Sequence, residues 1–81
     1  MIPKVVEARY VEDLTVHVRF ADGTEGDVDL RDELHGEIFE PLTDLSYFRQ
    51  FTVNDELHTI TWPNGADFAP EFLYKKLRIA A

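Results

Sequence analysis

The sequence predicts an α+β fold. It reads as a small antiparallel sheet, made of a three-stranded meander plus a hairpin, with short helices and a C-terminal helix packed on it. Two observations carry this prediction. Apolar and polar residues alternate with a period of two through the first 30 residues, the pattern of strands with one buried and one wet face. From Asp32 onward the alternation gives way to short apolar runs broken by Gly and Pro, ending in a segment with helical spacing. The 81 residues, 44% of them hydrophobic, contain no repeat and no linker, so residues 1–81 are expected to form one small acidic domain.

Each element follows from its residues. Val6, Ala8 and Tyr10 supply one face of the first strand. Leu14, Val16, Val18 and Phe20 alternate with Thr15, His17 and Arg19 in the second. Gly26, Val28 and Leu30 alternate with Glu25, Asp27 and Asp29 in the third. Turns are expected at Glu12-Asp13 and at Ala21-Asp22-Gly23, where Gly23 takes φ > 0 without a Cβ penalty. Arg31 to His35 can form one helical turn, closed by a left-handed Gly36. Ile38, Phe39 and Leu42 follow, and Pro41 prevents a long helix. Asp44 is placed to cap a short helix over Leu45 to Gln50, with Leu45, Tyr47 and Phe48 as its apolar side. Phe51 to Val53 and Leu57 to Trp62, split by Asn54-Asp55-Glu56, suit a second hairpin. Pro63-Asn64-Gly65 forms a turn with Pro second and Gly fourth. In the final helix either Asp67 is the cap, with Pro70 in the first turn, or Pro70 is the first helical residue; the residues allow both. Phe72, Leu73 and Leu77 are expected to face the sheet. Lys75, Lys76 and Arg78 lie toward the end, where cations complement the helix dipole.

Composition limits the function. The chain carries 16 acidic and 8 basic residues, a net charge of −8. The imbalance concentrates between Glu7 and Asp44, where 12 acidic residues face only Arg9, Arg19 and Arg31. Such a field repels phosphate backbones and favours a basic protein partner, which argues against direct nucleic-acid binding. The absence of cysteine excludes disulfides and thiolate chemistry. Charged residues interrupt every run in residues 1–20, and no stretch approaches the roughly 20 apolar residues that span a bilayer. A soluble, cytoplasmic protein with no membrane association is therefore expected.

Candidate chemistry is sparse. Asp27, Asp29, Asp32 and Glu33, with His35 close by, form the densest carboxylate group and offer oxygen ligands for Mg²⁺ or Ca²⁺. Without a calcium-loop pattern they read as a solvated face. His17, His35 and His58 lack the spacing of paired metal ligands. His17 is expected to point to solvent, His35 to end a helical turn, and His58 to be partly buried if it shares a face with Ile60 and Trp62. No nucleophile elbow and no glycine-rich phosphate loop occur. The expectation is a non-enzyme with no catalytic, cofactor-binding or metal-binding residues. A small hydrolase or metal enzyme would require a concave pocket with converging Asp and His side chains.

The segment from Trp62 to Tyr74 is the richest in signal. Turn formation and helix capping account for each residue type there. Alternatively, Asn64, Asp67, Glu71, Tyr74 and Lys75 form a polar and aromatic contact patch for a partner. Leu34-His35-Gly36, Phe39-Glu40-Pro41-Leu42, Phe48, Ile60 to Asp67 and Pro70 to Tyr74 occur in an order that resembles the domain of unknown function 2442 family. That resemblance implies a small α+β domain with a meander and a terminal helix. Some relatives add a helix-turn-helix module, implying a sensor or dimerisation role in transcriptional regulation. Free-standing relatives are often encoded beside a second small protein, a layout similar to toxin–antitoxin pairs. The resemblance supplies no catalytic residues. It adds to the expectation of an acidic, antitoxin-like protein-interaction module, with homodimerisation through an exposed sheet edge as a further mode.

Overall fold

The computed structural model describes residues 2–80, with side chains described as far as Leu77. Strands β1 (Val5–Glu12), β2 (Thr15–Phe20) and β3 (Glu25–Asp29) form an antiparallel sheet in the order β1-β2-β3. Two 3-10 turns (Arg31–Glu33 and Glu40–Thr43) and the short helix α1 (Leu45–Phe48) lead to a second, two-stranded sheet of β4 (Thr52–Asn54) and β5 (Thr59–Thr61). Helix α2 (Pro70–Ala80) ends the described chain. The expected α+β architecture is present.

Register explains which face is dry. Val16 lies opposite both Tyr10 and Val28, and Val18 opposite both Ala8 and Gly26, so the apolar positions of the meander share one side. Val16, Val18, Phe20, Val28 and Leu30 are buried there. The expected inward position of Val6 is wrong. A register shift between Val5 and Glu7 reverses the alternation, so Val5 is buried and Val6 is 47% exposed. The bulge lets Val5 N–H donate to the His58 carbonyl (2.9 Å), which ties β1 to the second sheet.

Helix α2 closes the same face with Leu73 and Leu77. It approaches β3 where no side chain intervenes: a Cβ on Gly26 would lie 2.9 Å from Leu77 Cδ2. Phe72, expected on this face, lies 36% exposed instead. Leu73 and Leu77 are one helical turn apart, whereas Phe72 is turned about 100° from Leu73 by the 3.6-residue period. The position of the Arg78 side chain lies outside the described residues.

Other boundaries also differ from expectation. Gly36 adopts φ 88°, but its carbonyl accepts from Phe39 and Glu40, so it opens the turn that leads into the second 3-10 turn and does not close the first. Asp44 caps α1 as expected: its Oδ1 accepts from Ser46 N–H (2.9 Å) and Ser46 Oγ (2.8 Å). Helix α1 stops at Phe48 and leaves Leu45 42% exposed. Strand β5 begins only at Thr59 because Asn54 Oδ1 holds the amides of Glu56 and Leu57, and His58 takes φ 57°. His58 therefore belongs to the loop, not to the face of Ile60 and Trp62.

Candidate functional site

Two loops of the same design organise the surface around the Trp62–Tyr74 segment. In the first, Gly23 N–H donates to Phe20 O (2.9 Å) and Phe20 N–H to Thr24 O (2.8 Å). In the second, Gly65 N–H donates to Trp62 O (2.9 Å) and Trp62 N–H to Ala66 O (2.9 Å). Both are three-residue hairpin loops with glycine in the third position, at φ 90° and 89° respectively. Each has an Asx residue in the middle, whose Oδ1 accepts an amide two residues on: Asp22 from Thr24 (2.9 Å) and Asn64 from Ala66 (3.0 Å). A buried aromatic, Phe20 or Trp62, precedes each loop.

The second polar atom of each Asx residue holds a distant element. Tyr74 Oη donates to Asp22 Oδ2 (2.8 Å), and its ring meets Phe20 edge-on at 4.9 Å, which fastens α2 to the β2–β3 loop. The Thr24 amide, aided by the Tyr74 hydroxyl, holds the Asp22 carboxyl below its ordinary range. Asn64 Nδ2 donates to the Ile38 carbonyl (2.9 Å), which fastens the loop before the second 3-10 turn. Asn64 and Tyr74, two of the five contact-patch candidates, thus direct their polar atoms at different parts of the scaffold.

Asp67, Glu71 and Lys75 are exposed. Asp67 pairs through its backbone with Thr61 and is not the helix cap. Pro70 is the first helical residue, and the Ala69 carbonyl accepts from Phe72 and Leu73. Beneath this stretch Thr59 Oγ1 donates to the Phe68 carbonyl, and Trp62 Nε1 donates to the Phe48 carbonyl (2.8 Å).

A feature not anticipated from sequence lies beside these residues. Phe39, Phe68 and Phe72 form a file of near-parallel rings, with centroids 4.9 Å and 5.8 Å apart and interplanar angles of 23° and 18°. Phe68 is buried, Phe39 half-buried and Phe72 exposed. The four-residue spacing of Phe68 and Phe72 at a helix entry was the available signal. Nothing local pointed to Phe39.

The outer face of the meander holds the other polar cluster. His17, expected to face solvent, has a side chain only 19% exposed and lies between two carboxylates. Its Nδ1 is 2.8 Å from Asp27 Oδ1 and its Nε2 is 2.8 Å from Glu25 Oε1. Hydrogen bonds to Asp27 and then Glu25 raise its pKa, against desolvation and the opposing charge of Arg9. Arg19 pairs with Glu7, whose carboxyl is lowered by that hydrogen bond. These groups border a recess of only ≈ 80 Å³. A wider, open groove of ≈ 490 Å³ lies between Ile2, Pro3 and Lys4 and the Phe20–Asp22 corner.

Asp27, Asp29 and Asp32 are exposed, and Glu33 lies 3.4 Å from Lys76 Nζ. Among the described residues no group of three or more His, Asp or Glu is arranged to hold a metal ion. No helix among them is long and apolar enough to cross a membrane. A family model described as a protein of unknown function (DUF2442) matches residues 5–78. No curated protein and no solved structure matches the chain.

Proposed function

The chain belongs to the DUF2442 family, and from that premise we propose that it is a non-catalytic protein-interaction module, the acidic, antitoxin-like member of a two-protein pair with a basic partner. The observation that carries this reading is the charge distribution: 12 acidic against three basic residues between Glu7 and Asp44. A field of that sign accelerates encounter with a cationic surface and selects against nucleic acid. The polar side chains of the site support it as well. Asn64, Tyr74, Thr59 and Trp62 all spend their hydrogen bonds on the scaffold, which leaves the exposed carboxylates for contact.

Native co-purification at low ionic strength tests the proposal. The expected result is a stoichiometric protein of net positive charge, whose association rate falls as salt is raised. Recovery of the chain alone under those conditions would overturn it. The alternative, a sensor or dimerisation domain of a transcriptional regulator, draws less support. One of the cations available to touch phosphates, Lys76, already lies 3.4 Å from Glu33.

A further inference from the structure

We propose that the ring file Phe39–Phe68–Phe72 is the docking surface for an arginine-bearing basic segment of the partner, with Phe72 as the ring it lies on. This rests on the reading of the chain as an acidic interaction module and gives that module a site. In the file, Phe68 stacks with both Phe39 and Phe72. Phe72 has Phe68 as its one ring partner among the described residues and is 36% exposed, which leaves part of the ring accessible. Ile38, 47% exposed and next to Phe39, extends the apolar surface, and the Asn64 bond to its carbonyl holds that loop in place.

Charge around the file selects the occupant. Glu37 and Glu40 bracket Ile38-Phe39, Asp67 precedes Phe68, and Glu71 precedes Phe72; all four are exposed. Among the described residues none of them is in an ion pair within 4.0 Å, and Lys75 is the nearest cation in sequence to Phe72 outside any such pair. An accessible ring beside uncompensated carboxylates suits a guanidinium better than an ammonium. Arg stacks flat on the ring while its N–H groups reach the acid oxygens in a fork. The chain already uses this contact internally, with the Arg49 guanidinium 5.1 Å from the Tyr10 ring centre.

The test uses acetylated hexa-arginine amide as the probe, titrated at low salt into the isotope-labelled full chain and followed by NMR. Shifts concentrated at Phe72, Glu71 and Ile38 are expected, with hexalysine binding more weakly. Phe72→Leu, which keeps an apolar side chain and removes the π face, should lower hexa-arginine affinity about threefold, and Glu71→Gln should act in the same direction. Glu25→Gln, on the opposite side of the sheet, should leave it unchanged. Shifts centred on Glu25 and Asp27, equal affinity for Phe72→Leu, or no shifts at all would each overturn the site. Sedimentation showing a dimer of this chain that Phe72→Leu dissociates would do so as well. A basic partner recovered from the native host alongside a failed titration would leave the proposed function standing and remove only this site.

Discussion

Trp62→Phe tests whether the Trp62–Tyr74 segment is built for structure. Trp62 is 3% exposed, and its Nε1 donates to the Phe48 carbonyl at 2.8 Å. Helix α1 ends at Phe48, so that carbonyl has no following helical amide to accept from, and the indole takes that role. Phenylalanine keeps the aromatic body and removes the donor. Leaving a buried carbonyl unpaired costs about 1–3 kcal/mol. Loss of three ring atoms from a closed site adds about 2 kcal/mol at about 0.8 kcal/mol per methylene-sized group. The expected loss is about 3–5 kcal/mol, a large part of the roughly 4–12 kcal/mol available to a chain of this length.

Urea unfolding measures it. Because Trp62 is the only tryptophan, far-UV circular dichroism must replace fluorescence. With m about 1.5 kcal/mol per M, the midpoint should fall by about 2–3 M. Phe72→Leu, at an exposed ring, is the control and should cost less than about 1 kcal/mol. If Trp62→Phe unfolds within about 1 kcal/mol of the wild type, the indole is not the partner that the Phe48 carbonyl depends on. The structural account of the segment would then fail.

Three further outcomes are expected. The His17 pKa is raised, so its stabilising contribution is complete below the unfolded value of 6.5 and disappears as pH rises through the higher folded value; an imidazole NMR titration at or below 6.5 would refute the Asp27–His17–Glu25 bridge. The carboxyls of Glu7, Asp22 and Asp44 are lowered, so theirs is present above the ordinary values of 4.5, 3.8 and 3.8 and lost as pH falls through the folded ones, which places greatest stability between the two limbs. Gly26→Val should destabilise by about 1–3 kcal/mol because its branches meet Leu77, whereas Gly26→Ala displaces only the end of that flexible side chain; a Gly26→Val cost that persists undiminished in a Leu77→Ala background would refute the contact.

The meander was legible in the sequence because its information is local. Alternation fixed the dry face, and the glycine in the third position of Ala21-Asp22-Gly23 sets a register that brings His17 opposite Asp27. Val6 was misplaced because a bulge reverses parity without altering the pattern around it. The loop at Pro63-Asn64-Gly65 was equally readable. Its likeness to the Asp22 loop, and the tethers from Asn64 to Ile38 and from Tyr74 to Asp22, span up to 52 positions in the chain and have no local signature. The ring file was hidden for the same reason: Phe39 joins Phe68 and Phe72 only once the loop is pinned.

The distribution of paired charge narrows where a cationic partner can gain most. On the outer face of the meander, Glu7 is matched by Arg19, and Glu25 and Asp27 by His17, with Arg9 opposite His17 in the register. Side chains already set into that face hold its carboxylates, so an incoming arginine there would have to displace an existing partner. Asp13 lies 3.6 Å from Arg31, and Glu33 has Lys76. Glu12, Asp29, Asp32, Asp55 and Glu56 also lack a described cation within 4.0 Å, but among the unpaired carboxylates Glu37, Glu40, Asp67 and Glu71 are the ones that neighbour the ring file in sequence. A basic segment docking there meets uncompensated charge and buries aromatic surface in one event. Attraction that steers encounter and contact area that slows dissociation then belong to the same place, as a lasting complex requires.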